Sequence, residues 1–197
     1  MFDTAGPHFA LSELLIVLAA VICGTSFGKS KLRLAAAGAL LFGAIAAIGA
    51  IRFGTGRVDA MADLHKNFTQ SGGAIAMSLV AAQLALLGIF RAKNVQYWVY
   101  GAVAVSALTA ICMPSATALI FIAWLIIAMA SAAFLAADGP IERICRVLLV
   151  GIFLINLVAV RQSPWLTAGI SWHLFHTLVA VWLVGLLWVF QRVHRGG

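Results

Sequence analysis

The sequence predicts an all-α, polytopic membrane protein: seven transmembrane helices in a single domain covering residues 1–197. Three observations carry this reading. Hydrophobic residues make up 63% of the chain and charged residues only 10%, where a soluble domain holds roughly 25% charged residues. Apolar runs close to the roughly 20 residues that cross a bilayer recur along the whole chain. The breaks between them carry Gly, Pro, Ser or charge, as helix ends do.

The first run is Phe9–Phe27. No basic residue precedes it, so it reads as a retained span and not as a cleaved signal. The second, Leu32–Phe53, repeats small residues every four positions at Ala35, Ala39, Gly43 and Ala47. That spacing lets neighbouring helices approach closely, as in a crowded central helix. The only long connection follows, from Gly54 to Gly72. Its apolar Val58, Met61, Leu64 and Phe68 alternate with Asp59, Asp63 and Lys66. Two readings fit: a short interfacial helix, or an early start to the third span. That span is Gly73–Phe90. The fourth is Gln96–Met113, with Tyr97, Trp98 and Tyr100 as belt aromatics. Pro114 separates it from the fifth, Thr117–Ala137. Gly139-Pro140 precedes the sixth, Ile144–Val160, whose start can be placed as early as Ile141. The seventh, Ile170–Phe190, opens on Ser171-Trp172-His173-Leu174-Phe175-His176.

Basic residues set the expected orientation. With the N-terminus outside, nine lie inside: Lys29, Lys31, Arg33, Arg91, Lys93, Arg143, Arg146, Arg192 and Arg195. Four lie outside: Arg52, Arg57, Lys66 and Arg161. The excess favours N-out and C-in, in an inner (plasma) membrane of bacterial type. The net charge of +7 belongs to these short loops, so nucleic acid is excluded as a partner and membrane lipid is the expected one. Cys23, Cys112 and Cys145 have no paired spacing and read as packing residues. No Walker, Rossmann or zincin motif is present.

Four of the five histidines and four of the six acidic residues fall at one end. His173 and His176 open the seventh span, one turn apart on a helix. Glu13 opens the first. Asp59, Asp63 and His65 lie between the second and third, with His8 just before the first and Asn156 late in the sixth. Ionisable groups in membrane segments mark function by default. Zinc takes imidazole and carboxylate ligands and, when catalytic, keeps one position for water. His65, His173 and His176 are the candidate metal ligands, Asp63 a supporting carboxylate, and Glu13 the group that orients or takes protons. The competing readings are histidines that face interfacial water, and a proton relay.

The layout resembles the superfamily of alkaline ceramidases and progestin/adipoQ receptors. The likeness lies in the early acid Glu13, the Asp63/His65 group and the pair opening the seventh span. Trp172-His173 is similar to the ceramidase Trp-His and Phe175-His176 to the receptor Phe-His. The final histidines here are three apart, where that superfamily has four. The resemblance implies a zinc-dependent membrane hydrolase of a lipid-like ester or amide, working at the extracytoplasmic face. A second stretch, Phe175-His176 through Trp182 to Gly185, is similar to a helix of copper-resistance membrane proteins and haem-pathway oxidases. It implies a non-enzymatic copper or haem handler, with Met61, Met113, His65 and His176 as ligands suited to copper. A transporter or a structural membrane subunit also fits a chain of this kind. Oligomeric state is left open.

Overall fold

A computed structural model describes residues 6–90 and 92–195, so Asp3 and Arg91 lie outside it. The described residues form helices joined by short connections, with no strands among them, and seven helices are long and apolar enough to cross a membrane. They are α1 (Phe9–Lys29), α2 (Arg33–Gly54), α3 (Ala62–Gly88), α4 (Lys93–Cys112), α5 (Thr117–Phe134), α6 (Pro140–Val160) and α7 (Ala168–Arg195).

The long connection resolves as the early start. α3 begins at Ala62 and runs through a wide π turn, Phe68–Gly72, into the apolar stretch. α6 ends in a second π turn, Asn156–Val160. Such turns shift the helical face by one residue and recur at functional sites.

Consecutive helices run antiparallel, so both π turns fall at the end that holds the start of α1. α1 packs on α2 and α7, α2 on α3, α3 on α5, α5 on α6 and α6 on α7. That closes a ring of six. α4 stands outside the ring, mainly against α3, with Trp124 Nε1 of α5 donating to its Ser106 Oγ at 2.9 Å.

α2 is the crowded helix its small residues predict. Ala35, Gly38, Ala39, Phe42, Gly43, Ala46 and Gly49 are buried, the i, i+3, i+4, i+7 pattern of one helix face. At Gly38 an added Cβ would stand 2.7 Å from the Ala76 carbonyl oxygen, so α2 and α3 meet backbone to backbone. Outward faces are apolar as well, with Leu11, Leu14 and Leu18 exposed on α1. A helix apolar on all sides suits lipid, not water.

An aromatic core fills the middle. Trp182 lies 4.8 Å from Phe153 and 5.5 Å from Phe42, ring centre to ring centre. Its indole N–H is satisfied by the Val150 carbonyl at 3.1 Å. Beyond it Leu183, Leu186, Val189, Phe190 and Phe27 pack with almost no exposure. We call this packed region the floor. At the far end Arg146 is buried, ion-paired to Glu142 at 2.6 Å and donating to the Ala136 carbonyl just past α5. One of the nine basic residues assigned to the inner loops is thus a buried packing element.

Candidate functional site

The inner stripe of α1 runs Phe9, Glu13, Ile16, Ala20, Cys23 and Phe27, all buried. Glu13 is the one ionisable carboxyl on it. The inner stripe of α7 runs His176, Val179, Leu183, Leu186 and Phe190. His65 sits in the first turns of α3 and is the buried residue of that segment. These three side chains meet in one layer above the floor. Glu13 is 2% exposed and each histidine 7%. Glu13 Oε1 stands 3.3 Å from His176 Nε2 and 3.7 Å from His65 Nε2.

Gly49 of α2 provides the space. An added Cβ there would stand 2.6 Å from the Glu13 carboxyl carbon and 2.9 Å from His65 Nε2. The layer exists because α2 presents bare backbone to it.

The side of the layer away from the floor is closed by three more rings. Phe9, Phe53 and Trp172 lie 5.2–5.5 Å from one another. Trp172 also stacks on His176 at 4.3 Å. This lid and the aromatic floor enclose the polar layer from both sides.

Hydrogen-bond partners locate the protons. His176 Nδ1 is 2.7 Å from the Trp172 carbonyl oxygen. A carbonyl only accepts, so Nδ1 carries a proton. In a neutral ring Nε2 then offers a lone pair to Glu13 Oε1, which as a carboxylate also offers lone pairs. Two acceptors 3.3 Å apart need a proton between them, on the acid or on the imidazole. Oε1 makes no regular hydrogen bond where it stands, so its contact with His176 is close but misaligned.

His173 takes a different place. Its ring stacks on Phe9 at 5.1 Å. Its Nδ1 is 3.2 Å from Ser12 Oγ, which itself donates to the Phe9 carbonyl. It therefore faces the opening turn of α1, with His8 5.2 Å away. Asp63 and Asp59 are exposed on the far side of their segment. Asn156 is fully buried and donates from Nδ2 to the Phe175 carbonyl at 2.8 Å, next to His176, while its Oδ1 has no partner. Met113 lies exposed at the end of the peripheral α4. The structure thus groups Glu13 with His65 and His176, and sets His173, Asp63 and Met113 apart.

The donor set can be tested against zinc. A metal-bound histidine donates its other ring N–H to a carbonyl or carboxylate. His176 does so. His65 does not: its Nδ1 faces Arg52 Nη1 at 3.2 Å, and a guanidinium only donates. In this arrangement His65 Nε2 holds the ring proton and cannot ligate. Arg52 also adds a positive charge beside the layer, which disfavours a dication. As they stand, these residues do not fit zinc, and among the described residues no group of three or more His, Cys, Asp or Glu is arranged to hold a metal ion.

Comparison with family models, with curated proteins and with solved structures gives no match. Three members of the site carried different readings in the sequence. Arg52 counted only toward orientation, Trp172 stood beside His173 in the Trp-His likeness, and Gly49 falls outside the four-residue repeat of small residues. A usable signal was the inner stripe of α7, which includes His176 and not His173.

Proposed function

We propose that this protein is a proton-coupled membrane carrier whose working group is the Glu13 carboxyl, exchanging a proton with His176. The observation that carries this reading is the 3.3 Å approach of Glu13 Oε1 to His176 Nε2, given that His176 Nδ1 is committed to the Trp172 carbonyl. One proton shared by two acceptors inside an apolar bundle is the arrangement of a proton relay. The enclosure supports carriage: a polar layer between two aromatic barriers, reached from one side only when the lid moves. The basic-residue bias favours the site end outside and the chain N-out and C-in.

The test is a pH jump on proteoliposomes adsorbed to a solid-supported membrane. Wild-type protein should give a charge displacement as protons enter the layer, and Glu13→Gln should lack it. Equal signals from both would sink the proposal.

A zinc-dependent lipid hydrolase, the class implied by the ceramidase-like layout, is the second reading. One observation favours it. Two ligands of a tetrahedral zinc stand about 3.3 Å apart, close to the 3.3 and 3.7 Å between Glu13 Oε1 and the two Nε2 atoms. It requires Arg52 to leave His65. Stoichiometric zinc in purified protein, lost in His176→Ala, would favour this reading over the carrier.

A further inference from the structure

We infer that Arg52 is a positioning residue that fixes His65 in the tautomer opposite to that of His176, and so decides which of the two exchanges a proton with Glu13. The tautomer of His65 rests on the Arg52–His65 geometry alone, while its consequence for the partner of Glu13 rests on the carrier reading.

Arg52 ends the inner face of α2 and is held at three points. Its Nε donates to the Val58 carbonyl at 2.7 Å, its guanidinium lies over the Phe53 ring at 5.0 Å, and its Nη1 reaches His65 Nδ1 at 3.2 Å. Phe53 packs edge-on to His65 at 6.2 Å. The guanidinium cannot trade donors for acceptors, because it carries no acceptor. His65 Nδ1 must therefore stay bare, and its one ring proton sits on Nε2, aimed toward Glu13. A second proton on His65 would break the Arg52 contact and place two cations side by side.

His176 is the mirror case. The Trp172 carbonyl fixes its proton on Nδ1 and leaves Nε2 open. Glu13 thus stands between a nitrogen that is already filled and one that is not. Of the two imidazoles that flank it, only His176 can take its proton without losing a fixed partner. The Arg52 guanidinium also places a fixed positive charge beside this layer. A substitution that removes the guanidinium changes both the tautomer of His65 and the charge of the layer.

The experiment is nitrogen NMR of the full chain in lipid bilayers, with 15N-labelled histidine. His65 and His176 are assigned by subtracting the spectra of His65→Gln and His176→Gln. Wild-type protein should show His65 with a bare Nδ1 and a protonated Nε2, and His176 with a protonated Nδ1. Arg52→Met should move His65 toward the Nδ1-protonated form, and Arg52→Lys, which keeps a donor, should restore the wild-type signature. Two results would overturn the inference: a protonated Nδ1 on His65 in wild-type protein, or an Arg52→Met spectrum that matches wild type. The first needs no variant, so it stands even if Arg52→Met fails to fold. Neither result bears on the Glu13-dependent charge displacement, which separates failure here from failure of the carrier reading.

Discussion

Gly49→Ala should disable the polar layer with a single added methyl group. The new Cβ would stand 2.6 Å from the Glu13 carboxyl carbon and closer still to Oε1. Ordinary contact begins at 3.4 Å, so the carboxyl must withdraw by about 0.8 Å. Its withdrawal is crowded, because His176 Nε2 already stands 3.3 Å from Oε1 and His65 Nε2, 2.9 Å from the same Cβ, must move too. Overpacking of this kind costs about 1–3 kcal/mol. Replacing Gly by Ala inside a helix returns about 1 kcal/mol. The net expectation is a loss of roughly 0–2 kcal/mol, with loss of the Glu13 charge displacement. Gly101→Ala in α4 is the control, since its added Cβ meets nothing within 4 Å and only the helix-propensity gain remains. Reversible unfolding in mixed detergent micelles measures both variants, and the pH jump reads the layer. If Gly49→Ala were as stable as Gly101→Ala and kept the full charge displacement, the close packing of α2 against Glu13 would be refuted.

Three further outcomes follow from the same geometry. His176→Ala should abolish the charge displacement while His173→Ala retains it, since His173 bonds Ser12 and stacks on Phe9 away from Glu13; equal losses would contradict the split. Asn156→Ala removes the bond to the Phe175 carbonyl and should lower stability by about 0.6–1.7 kcal/mol, the usual scale for interhelical hydrogen bonds in membranes, measured by the same unfolding assay. At the far end Glu142→Gln leaves the buried Arg146 without its ion-pair partner, whereas Arg146→Met removes the charge itself. The glutamate variant should be the less stable of the two, as thermal denaturation in detergent would show.

Much of the fold was legible because outward-facing and core-facing positions are both apolar, which makes span number a matter of run length. The stretch from Gly54 to Gly72 was not. An interfacial helix and an extension of α3 share one periodicity, and only packing separates them. The π turns left no sequence signal either, since a single extra residue in a turn does not change composition. At the site, Glu13, His65 and His176 announced themselves as ionisable groups at one end. Which histidine of the final pair turns inward depended on helix rotation. Counting back from Phe190, Leu186, Leu183 and Val179 along the apolar stripe arrives at His176. Arg52 was hidden by its type: an arginine at a helix end reads as a topology signal until its partner is known.

The floor has an electrical consequence. In a polarised bilayer, moving one elementary charge through the whole potential is worth about 2.3 kcal/mol per 100 mV. A proton that reaches Glu13 from its own end crosses only the thin aromatic lid. With the seven apolar helices spanning the bilayer, the larger part of the field would fall across the packed length from Phe42 and Trp182 to Phe190. Occupancy of Glu13 should then respond weakly to voltage. On the carrier reading, steep voltage dependence of transport would report the step at which that packed segment parts.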